Sequence, residues 1–171
     1  MTEGILTEID GRPALRFTRR LAHPIERVWR AVSTYDELAA WFVGPVDFKE
    51  VGQRFEAMEQ PGEVLRFEAP RSLAWEWGGE RFSFDLEPEG DGTVLTFVHV
   101  FADRDHGADY ASGWHFHFDR LEAHLEGRPV PEGEPRRLVA LNDHYSERFG
   151  LDPEVGRRAI AEYYGATEHT D

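Results

Sequence analysis

Apolar and polar positions change their period along the chain, and each change marks a class of element. Residues 5–9 and 15–21 read as strands, and Asp10-Gly11 between them favours a tight hairpin turn because both residues tolerate positive φ. From 24 to 33 the spacing becomes helical: Ile25, Val28, Trp29 and Val32 recur on one face, and Pro24 sits where a first turn tolerates a missing N–H. Thr34 with Glu37 three residues on reads as a capping box, opening a second short helix that ends at Trp41-Phe42 before Gly44-Pro45.

Period two then returns. Strands are expected at 46–50, 53–59, 63–68, 73–77, 81–87 and 93–101, broken by Gly52, Pro61-Gly62, Ala69-Pro70, Gly78-Gly79 and Gly90-Asp91-Gly92. Connections this short imply antiparallel neighbours. One face collects Leu73, Trp75, Trp77, Phe82, Phe84, Leu86, Leu95, Phe97, His99 and Phe101, while Glu76, Ser83, Asp85 and Thr96 take the opposite, solvated side. Residues 109–126 form the longest helical stretch, with Trp114, Phe118, Leu121 and Leu125 in a stripe expected to lie across the aromatic face. Gly127 and Pro129 end it. Beyond, Leu138, Leu141, Tyr145 and Phe149 make a second amphipathic stripe, and 153–164 a third. The pattern predicts an α+β architecture, a curved antiparallel sheet around one long helix over 1–127, with a helical extension over 128–171 that packs on its own sheet or on a second subunit.

Composition sharpens this picture. At 171 residues, 40% hydrophobic and 13% aromatic, the chain fits one ordinary domain with ample apolar bulk for a core or a cavity. Asp and Glu total 33 against 19 Lys and Arg, and the formal charge of -14 disfavours nucleic acid and anionic membrane surfaces. No cysteine is present, which excludes disulfides, thiolate nucleophiles and cysteine-ligated zinc. The first residues lack an apolar signal region and no run reaches the ~18 apolar residues of a membrane helix, so membrane insertion is not expected and a cytoplasmic location is.

Candidate chemistry concentrates on the aromatic face. Trp75, Trp77, Phe82, Phe84, Phe97, Trp114 and Phe118 either wall a pocket for an apolar or aromatic molecule or fill one another's space. His99 points to the same side, as a polar handle for a ligand or as a core histidine tied to a neighbour. His115 and His117 are two apart on a helix, so their side chains diverge by about 200° and do not chelate one metal ion. His117 borders the apolar stripe and faces the sheet, and Tyr110 lies one turn before Trp114, where it closes the cavity mouth. No nucleophile elbow, phosphate loop or zinc-protease string occurs, so no catalytic residue, cofactor or metal is assigned.

The strings HPIERVWRAVSTYDELAAWF (23–42), APRSLAWEW (69–77), GDGTVLTFVH (90–99) and SGWHFHFDRLEAHLEG (112–127) resemble the heat-shock-protein-90 ATPase activator homology family, within the START-related, Bet v 1-like (SRPBCC) superfamily. YSERFG (145–150) is similar to the end of many bacterial relatives. The resemblance implies a helix-grip fold with an apolar cavity between sheet and long helix, and a superfamily range from lipid carriers to cyclases and a co-chaperone domain of the stress response. Arg66 departs from the pattern, standing where many relatives carry an acidic residue. The leading expectation is a binding module for a small hydrophobic ligand. Two others stand beside it: a cyclase-like or hydrolytic enzyme in which His99 or Tyr110 moves a proton, and an interaction module with a chaperone partner, the tail stripe sealing a homodimer.

Overall fold

In a computed structural model residues 3–167 are described. The chain forms β1 (Ile5–Ile9), β2 (Arg12–Leu21), α1 (Ile25–Ser33), α2 (Tyr35–Trp41), β3 (Arg54–Ala57), β4 (Gln60–Glu68), β5 (Ser72–Trp77), β6 (Glu80–Glu89) and β7 (Gly92–Val100). One 3-10 turn, Arg104–His106, leads into α3 (Gly107–Leu125), followed by α4 (Pro135–Phe149) and α5 (Pro153–Thr167). The strands make one antiparallel sheet in the order β1-β2-β7-β6-β5-β4-β3. Apart from the crossover of α1 and α2, each connection is a tight turn. Asp10 and Gly11 form the first, with φ of 51° and 75°, the doubly positive pair that matches the twist of a hairpin.

Register explains the core. Leu73 pairs with Phe84, Phe84 with Phe97 and Phe97 with Phe17, so four strands place apolar side chains side by side on the concave face. Trp114, Phe118, Leu121 and Leu125 of α3 are buried against them. Burying one such side chain stabilises by ~1.5–3 kcal/mol, and offset or edge-on ring pairs add ~0.5–1.5 kcal/mol. The convex face carries Glu76, Ser83, Asp85 and Thr96, as alternation requires.

Four local expectations are corrected. Residues 46–50 form no strand; Phe48 donates its N–H to the Ser33 carbonyl at 3.0 Å, and Val46 and Phe48 bury their side chains, so the segment is a strap held by the core rather than by a ladder. The next hairpin turns at Met58-Glu59, with φ of 48° and 60°, while Pro61-Gly62 lies inside β4. Gly62 is needed there because the Phe55 ring and the Glu76 carbonyl leave no room for a Cβ. The Thr34 side chain does not cap α2: its hydroxyl donates back to the Arg30 carbonyl at 2.8 Å, and Asp47 receives the Tyr35 N–H at 3.2 Å instead. Glu37 turns away to His124 at 2.5 Å and Arg27 at 3.0 Å, which holds its carboxyl below the usual range against the opposing effect of burial. The long helix starts two residues early, at Gly107.

The tail packs on its own chain. The Tyr145 ring of α4 is fully buried; its hydroxyl accepts the Gly4 N–H at 3.0 Å, stands 2.7 Å from His115 Nδ1, and the ring meets Phe17 edge-on at 6.4 Å. Arg19, an inward charge on β2, reaches Asp119 at 3.3 Å and Glu122 at 3.1 Å, and Arg137 of α4 also pairs with Asp119. One carboxylate thus ties β2, α3 and α4.

Candidate functional site

Between sheet and helix the rings meet one another. Phe97 lies 4.4 Å from Trp114, 5.2 Å from Phe84 and 5.2 Å from Phe118, while Trp75 stacks on Phe82 at 5.5 Å. All six of these rings are buried. Trp77 is half-buried, donates its indole N–H to the Ala57 carbonyl at 2.9 Å and stands close over Gly44, so it bridges the strap and the β3–β4 hairpin.

His99 belongs to a buried chain of hydrogen bonds. The Trp114 indole N–H donates to its Nδ1 at 3.0 Å, so the ring proton sits on Nε2 and is donated to the Glu80 carboxylate. The Tyr110 hydroxyl lies near the same carboxylate, and its ring lies 5.1 Å from His99. Burial holds the His99 pKa down against the pull of Glu80, and burial together with Glu80 pushes the Tyr110 hydroxyl up to about 12. At neutral pH Tyr110 keeps its proton and His99 has neither nitrogen free, so the set tethers α3 to the sheet.

The open space lies on another flank of α3. A cleft of about 580 Å³ runs along the face that carries Asp109, Gly113, Phe116, His117 and Arg120, between Val43 and Met58 on one side and Ile160, Tyr163 and Tyr164 of α5 on the other; Leu138 of α4 and the loop residues Glu132 and Gly133 also line it. Val43, Met58 and Tyr163 are large apolar side chains left exposed there. Of the ten residues singled out in the sequence, His117 alone lines this cleft; Trp114, stacked on Phe42, stands in the layer behind it. His117 Nδ1 donates to the Trp41 carbonyl at 3.1 Å, leaving Nε2 without a proton. Burial, with help from Arg120, pushes its pKa down to about 4, so the ring is neutral at neutral pH. Asp109 is pushed up by burial, opposed by His106 at 3.2 Å.

Gly113 is the informative member. It sits in the middle of α3, where glycine costs ~1 kcal/mol relative to alanine, yet a Cβ there would meet nothing within 4 Å. Packing does not ask for glycine at this point; a side chain would simply project into the cleft. Sequence reasoning passed over Gly113, Arg120 and the α5 wall because the cleft is assembled from segments distant in the chain. Among the described residues no cluster of three or more His, Asp or Glu is placed to hold a metal, and no helix is long and apolar enough to cross a membrane.

A seven-stranded antiparallel sheet curved over one long helix, with two short helices between its second and third strands, defines a helix-grip protein. The family described as Activator of Hsp90 ATPase homolog 1-like protein matches residues 22–126, and the chain belongs to it. The match ends where α3 ends, before the helices that close the cleft. Among solved structures, CalU16 from Micromonospora echinospora is 25% identical, with a TM-score of 0.71 over 86% of this chain and 98% of its own. The BPP1335 protein of Bordetella parapertussis is 25% identical, with a TM-score of 0.66 over 88% of this chain and 93% of its own. Bacillus halodurans BH1534 is 27% identical over 66% of this chain and 96% of its own, with a TM-score of 0.59. No curated protein matches the chain.

Proposed function

We propose that the protein binds a small apolar or aromatic molecule in the cleft flanking α3. The observation that carries this reading is the glycine at 113: a helix interior gives up stability to leave open a space walled by Val43, Met58, Phe116, Ile160 and Tyr163. Trp114 and the rings behind it form a rigid backing, and neutral His117 supplies one polar contact without the desolvation penalty of a charge. This function needs no proton transfer, in keeping with a Tyr110 that holds its proton.

Phenylnaphthylamine, a neutral dye that fluoresces in apolar surroundings, serves as the probe. Wild type is expected to bind it saturably, and a hundredfold excess over Kd to raise Tm by roughly 5–10 °C. Gly113→Leu, whose side chain fills the cleft, is expected to fold and to weaken the dye at least about tenfold. Equal binding by wild type and Gly113→Leu removes the cleft as the site.

A further inference from the structure

Resting on that reading, the identity of one cleft residue narrows the ligand. Arg120 lies on the cleft face of α3 with its guanidinium carbon 5.8 Å from the Phe116 ring centre. Its one hydrogen bond is long, 3.4 Å from Nη2 to the Ala40 carbonyl, and its buried Nε–H finds no acceptor among the described residues. Among the described residues no carboxylate pairs with it, in a chain where acidic residues outnumber basic ones 33 to 19. Arg19 and Arg137, the other arginines against α3, both reach Asp119. Two carboxylates line the cleft: Asp109 is about 16 Å along the helix from Arg120 and is engaged by His106, and Glu132, on the loop before α4, forms no ion pair with Arg120 among the described residues.

A half-buried guanidinium whose buried Nε–H has no acceptor gains hydrogen bonds when an oxyanion arrives beside this apolar floor, because charge-assisted hydrogen bonds are strong where water is scarce. We infer that the cleft's ligand is an amphipathic acid, an aromatic or acyl body bearing a single oxyanion that Arg120 receives while the body lies over Phe116 toward Gly113. Such a ligand neutralises the cation and satisfies Nε–H. A neutral ligand of the same shape would leave both as they are.

Anilinonaphthalene sulfonate and phenylnaphthylamine share one aromatic body and differ in the sulfonate, so they isolate the charge. Wild type is expected to hold the sulfonate roughly tenfold more tightly than the neutral dye, against the repulsion of a chain with a formal charge of -14. Arg120→Gln is expected to abolish that preference, read as the ratio of the two dyes' affinities measured in the same variant. Equal affinities in wild type, or a preference that survives Arg120→Gln, overturns the inference. Wild-type titrations at rising salt give a second reading that needs no variant: the sulfonate's advantage should shrink with ionic strength, and an advantage insensitive to salt also counts against Arg120. Gly113→Leu separates the two levels. If it weakens both dyes but wild type shows no preference, the acid is wrong and the cleft stands; if it weakens neither, the cleft itself fails.

Discussion

A lone hydrogen stands at position 113 where the helix would accept almost any side chain, and that choice is best explained by the space beside it. Gly113→Ala should raise stability by ~0.5–1 kcal/mol in urea denaturation, since it removes backbone entropy from the unfolded chain and meets no neighbour; a loss of that size would mean the cleft is filled. His117 makes the complementary prediction. Its folded pKa, about 4, lies below the ~6.5 of an unfolded histidine, so between these values the unfolded chain takes up a proton that the folded chain refuses. Stability is therefore complete above about pH 6.5 and falls on acidification, by on the order of 2 kcal/mol near pH 4.5. His99, also pushed down by burial, adds to the same slope. His117→Gln, which keeps an N–H for the Trp41 carbonyl, should flatten the pH dependence of Tm; an unchanged slope would assign it to other groups. Two of the residues missed in the sequence had left a signal there. Glu80 shares the phase of Phe82 and Phe84, and Arg19 that of Leu15 and Phe17, so period two already aimed both charges inward, where a charge demands a partner. Gly113 left none, because whether a helical glycine faces open space depends on what lies opposite.

Elements were legible where periodicity was long and ambiguous where it was short. The pattern foretold β5, β6, β7 and α3 within a few residues because nine aromatic and aliphatic side chains, with His99, had to share one face. It misread 46–50 as a strand because a strap with Val46 and Phe48 turned inward has the same alternation without a partner. The docking of α4 was beyond it: Tyr145 reads as one more stripe residue until His115 and the Gly4 N–H are found around its hydroxyl. That docking depends on Asp119, which is mostly buried between Arg19 and Arg137. Asp119→Ala should cost about 3 kcal/mol by urea denaturation, as removing one side of a buried ion pair does. A change below about 0.5 kcal/mol would show that the ring contacts alone hold α4.

At the scale of the whole molecule, the family match ends with α3, and the helices after it complete both the core and the cleft. Deleting the residues after Gly127 removes the fully buried Tyr145 and uncovers Phe116 and His115. The truncated chain should lose most of its stability and show no dye binding; a truncated form that melts like the full chain would show α4 and α5 to be an independent appendage. The most direct test of ligand binding at the α3 flank is a backbone-amide NMR titration of the full chain with anilinonaphthalene sulfonate. Shifts concentrated at Gly113, Phe116, Arg120, Ile160 and Tyr163 are predicted. Shifts confined to the amides of Trp75, Phe84 and Phe97, with the α3 flank and α5 silent, would place the ligand among the core rings and contradict the cleft.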